Sequence, residues 1–532
     1  MKKTILGFSA LLSVAFTFAQ NNVIDVDQTG KGNETEISQK GVNNTLTIVQ
    51  DGNYNSARVE QGIENEIMGN GIIRQIQTGD QNKAYAIEQG DFNEVYQNQL
   101  GVSNNAEAEI GSYSSESRIE QIQIGNNNMV IASIGKNGYG VNSTITQSQN
   151  GNYNIAQANQ SQTEGGQIIQ DQQGILNNAI ATQKEGFGQN SIEQYQYGEN
   201  NSAIATQEED FSQNSIFQEQ IGLGNTLIAN HPSSSFSFGE RKITQFQNGN
   251  YNTATAIQYN IYRIEQSQTG EFNQAFAYQG NTKPTVIRQH QNGIGNIAQA
   301  FNDGMPEGGA IPGSISQNQV GESNYVYANL EIRSYVNQRQ EGIGNDASTT
   351  IVYSFNTTVS QRQTGNYNKS TATVYGEYES NVEQYQEGAF NRGEVLIEGD
   401  GIRSTQTQKG EGNSVIATAN NWGGAHEMTS TQNGFFNTVE QTLDGGHFNS
   451  AIATQDGEQN FLSQLQQGKE NGVISAQDGS FNTTYATQIG NSNTLNTKQI
   501  GDANSLTASQ EGTSLSVTII QEGNGNSSVI SQ

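Results

Sequence analysis

The phrase Gln-x-Gly-x-x-Asn recurs twenty-five times between Gln28 and Gln521, and no other feature restricts the fold of this chain as strongly. Self-similarity at a steady spacing implies stacked, equivalent units. Near both ends the spacing is 11 residues, as at Gln28, Gln39 and Gln50 and again at Gln455, Gln466, Gln477, Gln488 and Gln499. Through the middle it lies mostly between 21 and 28. Each longer unit therefore holds two halves, one of which has lost the phrase. Near-matches at Gln61 (QGIEN), Gln89 (QGDFN) and Leu443 (LDGGHFN) fill some gaps.

Each half reads as a strand followed by a reversal. In Asn482–Gln488, period-2 alternation puts Asn482, Thr484, Ala486 and Gln488 on one face. The sets Asn44, Leu46, Ile48, Gln50 and Asn201, Ala203, Ala205, Gln207 repeat the pattern. That face is small or aliphatic and flanked by amides, whereas the other mixes Ser, Thr, Tyr and charge, so the first points inward. Middle units add a second strand type, with an aliphatic residue and two Gln on one face: Ile145, Gln147, Gln149; Ile243, Gln245, Gln247; Val359, Gln361, Gln363.

A buried amide left unpaired costs on the order of 1–3 kcal/mol. Stacked about 4.7–4.8 Å above its equivalent, it bonds the next in a ladder. Identical residues at identical positions are thus a packing requirement. Gly in the reversal permits positive φ and Asn tolerates it. One rung buries too little to fold alone, so neighbours must supply its floor and ceiling. The expected fold is all-β: a flattened two-sheet β-solenoid, strand-turn-strand-turn, with about 22–23 residues per rung and roughly 20–23 rungs over a single repeat domain, residues 20–532. The four prolines, Pro232, Pro284, Pro306 and Pro312, all avoid the Gln-x-Gly-x-x-Asn reversals. One edge is therefore regular and the other carries variable loops.

Composition sets the address. Residues 1–19 have Lys2 and Lys3, an apolar run from Ile5 to Phe18 that is short for a bilayer, and small residues before a cleavage point between Ala19 and Gln20. This is a signal peptide, and no second apolar stretch approaches membrane length, so the expected product is secreted and not membrane-inserted. Cysteine is absent, so repeated pairing replaces disulfides. The formal net charge of −28 argues against nucleic acid as a partner, because that would want a basic stripe.

The full phrase Gln-x-Gly-x-x-Asn-x-Ala-x-x-x-Gln resembles the curlin repeat of curli subunits, the extracellular amyloid fibres of Gram-negative bacteria. Gln149–Gln160, Gln172–Gln183, Gln196–Gln207, Gln247–Gln258 and Gln268–Gln279 match at every fixed position. The resemblance implies a biofilm-matrix and adhesion protein that crosses the outer membrane through a dedicated channel and polymerises with copies of itself, a nucleator subunit being a possible partner. The matched ladder positions are Gln149, Asn154, Gln160, Gln172, Asn177, Gln183, Gln196, Asn201, Gln207, Gln247, Asn252, Gln258, Gln268, Asn273 and Gln279. Their reversal glycines are Gly151, Gly174, Gly198, Gly249 and Gly270. Known subunits have few repeats; this chain has many.

No catalytic, cofactor-binding or metal site emerges. His231, His290, His426 and His447 lack metal-ligand spacing and read as solvent-facing or loop residues. Glu208–Asp210 reads as a solvated reversal, and the calcium-binding nonapeptide is missing. Outward Glu265 and Arg288 fall at equivalent positions where they pair; Arg339 and Arg362 do so where they repel. The C-terminal NSSVISQ continues the inward face through Ser528, Ile530 and Gln532, an expected surface for end-to-end stacking. The alternative reading is a monomeric solenoid that acts as an adhesin or glycan-binding module through its variable loops.

Overall fold

The computed structural model describes residues 21–62, 69–136, 138–208, 213–233, 239–259, 262–280, 285–303, 313–331, 333–376, 378–421 and 424–532. The expected leader, with Ala19 and Gln20, lies outside these residues, as do Pro284, Pro306 and Pro312. The described residues are all-β, with no helix among them. The chain divides into two compact units between Arg263 and Ile264.

Each unit is a flattened two-sheet β-solenoid, the fold that the repeat predicts. A rung consists of a leading strand, such as Thr144–Asn152, and a return strand, such as Ile155–Ser161. The bend between them carries Gln-x-Gly-x-x-Asn. A variable bend then brings the chain back to the next leading strand, Gln167–Ile175. Among the described residues the first unit has ten leading and ten return strands besides two-residue strands in its variable bends; the second has twelve of each, counting the leading strand Tyr262–Glu271. The described pairings within a unit are parallel and, apart from a register shift between Glu88 and Gly90 where Lys83–Asp91 meets Asn105–Ser115, in register, so equivalents meet: Gln147 with Gln170 and Gln194, Gln149 with Gln172 and Gln196.

The inward face is as narrow as the repeat demands. In the first unit Ile145, Ile168, Ile192 and Ile216 stack on the leading sheet, facing Ala156, Ala158, Ala179, Ala181, Ala203 and Ala205 on the return sheet, all fully or almost fully buried. In the second, Ile264, Ile287, Ile315 and Val336 face Ala275, Ala277, Ala298 and Ala300. Alanine keeps the sheets close enough for a glutamine on one to reach the backbone of the other. Gln147 Nε2 thus donates to the Ile131 carbonyl at 3.0 Å.

The bend after each leading strand is the same in every rung. Its glycine has φ between +102° and +133°, as in Gly151 (+133°), Gly174 (+127°), Gly198 (+121°), Gly249 (+124°) and Gly270 (+107°). A methyl group on Gly151 would overlap the Gly174 carbonyl oxygen of the next rung. Two residues on, the backbone is left-handed again, and here sequence reasoning, which reserves such positions for Gly and Asn, needs correcting. Tyr54, Tyr153, Tyr251, Phe272, Tyr367, Phe390, Phe436 and Phe481 take φ of 53–59°. The rings of Tyr54, Tyr251, Tyr367 and Phe436 lie over the rung before: the Tyr367 ring fills the space that a Gly344 side chain would occupy, and the Tyr367 and Phe390 rings stack at 5.4 Å.

This geometry predicts that Gly365→Ala, which combines φ of +110° with overlap on the Gly388 carbonyl, destabilises the second unit by on the order of 3 kcal/mol or more. Thr364→Ala, one residue away, stays within about 0.5 kcal/mol of the parent. Chemical denaturation followed by far-UV circular dichroism measures both.

Candidate functional site

The site is distributed along each unit as columns of stacked amides. The last inward residue of every leading strand is Gln, and the residue that ends the following bend is Asn. In the first unit the Gln column runs from Gln28 to Gln247, each Nε2 donating to the Oε1 of the next rung at 2.6–3.1 Å. In the second it runs from Gln268 to Gln521 at 2.7–3.0 Å. The second amide hydrogen crosses the core: Gln149 donates to the Met129 carbonyl at 3.0 Å, Gln172 to Ile155 at 2.8 Å, and Gln196 to Asn178 at 3.0 Å. Gln247 donates to Thr226 at 3.1 Å. Each amide therefore ties three strands together.

The Asn column runs beside it with the opposite polarity. Asn177 Nδ2 donates back to Asn154 Oδ1 at 3.1 Å, while its backbone N–H reaches the same oxygen at 3.0 Å. Its remaining Nδ2 hydrogen goes forward to the Gly198 carbonyl at 2.9 Å. Asn201 and Asn252 repeat the backward bonds in the first unit, and Asn296 bonds Asn273 in the same way in the second.

The third column, at the end of the return strands, is intact only in stretches. Gln160 donates to Gln183 at 2.8 Å, and Gln183 to Gln207 at 2.9 Å. Beneath Gln160 stands Ile134, which has nothing to donate, and the buried Gln160 Oε1 has no partner. Gln466 Oε1 above Leu443 is orphaned for the same reason, and on the leading sheet so is Gln75 Oε1 above Ile48. Gln279 opens the stretch of the second unit, paired in register with buried Asn302.

Four column positions hold residues that the repeat does not announce. Glu88 follows Gln61 in the return column, is fully buried, and accepts from Asn93 Nδ2 at 3.1 Å. Burial pushes its carboxyl up from 4.5 to about 7. His231 follows Gln207, and its Nε2–H donates to Gln258 Oε1 at 3.1 Å. Complete burial lowers its pKa to about 3 and keeps it neutral. His426 occupies the variable-bend column, where its Nδ1 accepts the Asn449 N–H at 3.2 Å. The reading of the histidines as solvent-facing or loop residues is thus corrected for His231, which is buried at the end of a strand; His426 is a loop residue, though buried, and His290 is exposed. Arg241 is buried in that column too, donating to the Pro232 carbonyl at 3.0 Å. Aligning rungs by the invariant bend places all four; pattern matching skips them because they break the pattern. Among the described residues no three acidic or histidine side chains meet in a metal-holding group.

The pattern of the curlin-associated repeat matches this chain at residues 19–52 and 501–532, so curlin repeats are present at two places in it. No curated protein matches it.

Glu88 and His231 make opposite pH predictions. Folded Glu88 holds its proton more tightly than the unfolded chain does, so its contribution is full below about 4.5 and is lost as pH rises to about 7. Folded His231 holds its proton less tightly, so its contribution is full above about 6.5 and is lost as pH falls towards about 3. Glu88→Gln therefore stabilises the first unit at pH above about 7, by on the order of 3 kcal/mol, and His231→Gln stabilises it under acid conditions. Hydrogen exchange of the adjoining strands across the pH range reads both.

Proposed function

We propose that this chain, which carries the curlin repeat on a two-sheet solenoid, is the structural subunit of a curli-like extracellular fibre that serves biofilm matrix and surface adhesion. It polymerises by stacking rungs of one copy on rungs of another. The observation that carries the reading is the sameness of one edge. Every rung presents the same Gln donor, the same Gly carbonyl and the same Asn acceptor to the next, so the geometry that joins two rungs of one chain serves equally to join rungs of two chains. A leader that directs export, passage through an outer-membrane channel, and initiation by a nucleator subunit belong to the same proposal. So does the role of the Ala19–Gln20 junction as the cleavage point, and that of the fifteen named Gln and Asn positions as the assembly ladder. No side chain is assigned to catalysis.

Purified chain lacking residues 1–19 is expected to form fibres that bind thioflavin and diffract with a meridional repeat of about 4.7–4.8 Å. Preformed fibres should shorten the lag of fresh protein. Asn368→Leu with Gln363→Leu, which breaks two columns in one rung, should lengthen the lag and weaken seeding. A chain that stays a dye-negative monomer under conditions where it is folded would overturn the proposal.

A further inference from the structure

Outward residues of the second unit are not randomly charged. On the leading sheet the rungs from Ile264 to Glu322 carry Glu265, Arg288 and His290 on their outer face, and Arg288 Nε bonds Glu265 Oε2 at 2.9 Å. The return strands of the same rungs, Gln274–Gln279, Ile297–Asn302 and Tyr325–Leu330, carry no charge outward. Register places nine residues there in three columns: Gln274, Ile297, Tyr325; Phe276, Gln299, Tyr327; Tyr278, Phe301, Asn329. The chain has 52 acidic residues and a net charge of −28, and other return strands, Thr226–His231 and Thr253–Gln258 among them, are also neutral outward; this tract differs in being aromatic at Phe276, Tyr278, Phe301, Tyr325 and Tyr327.

Its chemistry is aromatic and amide together. The Phe276 and Phe301 rings lie 5.2 Å apart and the Phe301 and Tyr327 rings 5.7 Å apart, so three rings from three rungs form one continuous track. Tyr325 Oη donates to Gln299 Oε1 at 3.1 Å. That bond orients the Gln299 amide beside the track and leaves its Nε2 to donate elsewhere. Inward amides are consumed by the columns; these outward ones remain for a ligand. Flat apolar faces next to fixed amide donors and acceptors match the two faces of a pyranose ring, whose C–H surface stacks on aromatic rings while its hydroxyls bond amides. The missing charge selects the ligand class. An anionic polymer meets long-range repulsion from this acidic chain, and no outward lysine or arginine on these strands offsets it.

We infer that the outer face of Gln274–Gln279, Ile297–Asn302 and Tyr325–Leu330 is a binding surface for an uncharged polysaccharide. This goes beyond fibre assembly and is testable in either state of the protein. Freshly refolded soluble chain and mature fibres are each mixed with cellulose, chitin and starch as neutral probes and with alginate as an anionic one, and the retained fraction is measured. Retention on at least one neutral probe and none on alginate is expected, for soluble chain and fibres alike. Phe276→Ala/Phe301→Ala/Tyr327→Ala should lower retention at least tenfold. Phe461→Ala/Tyr485→Ala, which removes the outward aromatic pair at 5.4 Å elsewhere on the same sheet, should leave it unchanged. Gln299→Ala, which removes an amide and no ring, should lower retention several-fold and keeps the test open if the triple variant misfolds. No retention on any neutral probe, equal retention on alginate, or full retention by both the triple and the Gln299 variants would refute the inference. A triple variant that changes only how fibres bundle would name a second copy as the occupant and refute it too. Because soluble chain is assayed separately, failure to form fibres leaves this result readable.

Discussion

A primary amide has two hydrogens to donate and one oxygen to accept with, and the fold of both units depends on placing that group where each need is met by an equivalent group one rung away. A buried Gln among aliphatic residues is ordinarily a defect. In register it becomes a fastener, because the strand spacing of about 4.7–4.9 Å is the spacing at which stacked amides bond. Gln columns donate towards the C-terminus and Asn columns towards the N-terminus. Their dipoles therefore oppose one another along the invariant edge, and a long stack accumulates little net field from them. The constraint also fixes the glycine: the bend that brings Gln and Asn columns side by side leaves no room for a Cβ between successive rungs.

Much of this is legible in the sequence, for a specific reason. A column requires one residue type per rung, so it writes itself as a period, and alternation within each strand says which side it faces. Both strand types, the parallel stacking and the distinction between a regular and a variable edge follow from those two facts. What is not legible depends on a single rung. Nothing local to Glu88 marks it as buried; its position above Gln61 does. Nothing about Tyr367 announces a left-handed backbone, because single-residue propensity argues against it and only the Gly at the same position of the preceding rung shows that the bend imposes it. The aromatic track escapes a linear reading altogether, since Phe276, Phe301 and Tyr327 meet through register across some fifty residues.

The two edges divide the work of specification. A solenoid whose rungs were all identical would gain nothing from one alignment over another displaced by a whole rung, since the invariant Gln, Gly and Asn would pair as well in either. The return column breaks that degeneracy. In the first unit it reads Gln39, Gln61, Glu88, Ile110, Ile134, Gln160, Gln183, Gln207, His231, Gln258, and in the second it runs through Leu330, Ile351, Val374, Ile397, Ala419 and Leu443 before returning to Gln466. Pairing return strands out of order would set further amides against aliphatic neighbours, each at on the order of 1–3 kcal/mol. The native arrangement already accepts that cost at Gln160 and Gln466, where amides resume after aliphatic Ile134 and Leu443.

Such interruptions also grade the chain along its length. Where the return column is amide, both edges of a rung are the same as those of its neighbours and any rung is an adequate template for the next. Where it is aliphatic, only one edge templates and the other merely packs. The amide-rich rungs are thus the ones at which a foreign rung, from a second copy, fits as well as the native neighbour does, while the aliphatic rungs favour their own sequence partners. In the proposed fibre, self-assembly and a unique internal register make opposing demands on the repeat, which the proposal places on different edges: uniformity on the invariant bend, where stacking must be easy, and variation on the return column, where order must be kept.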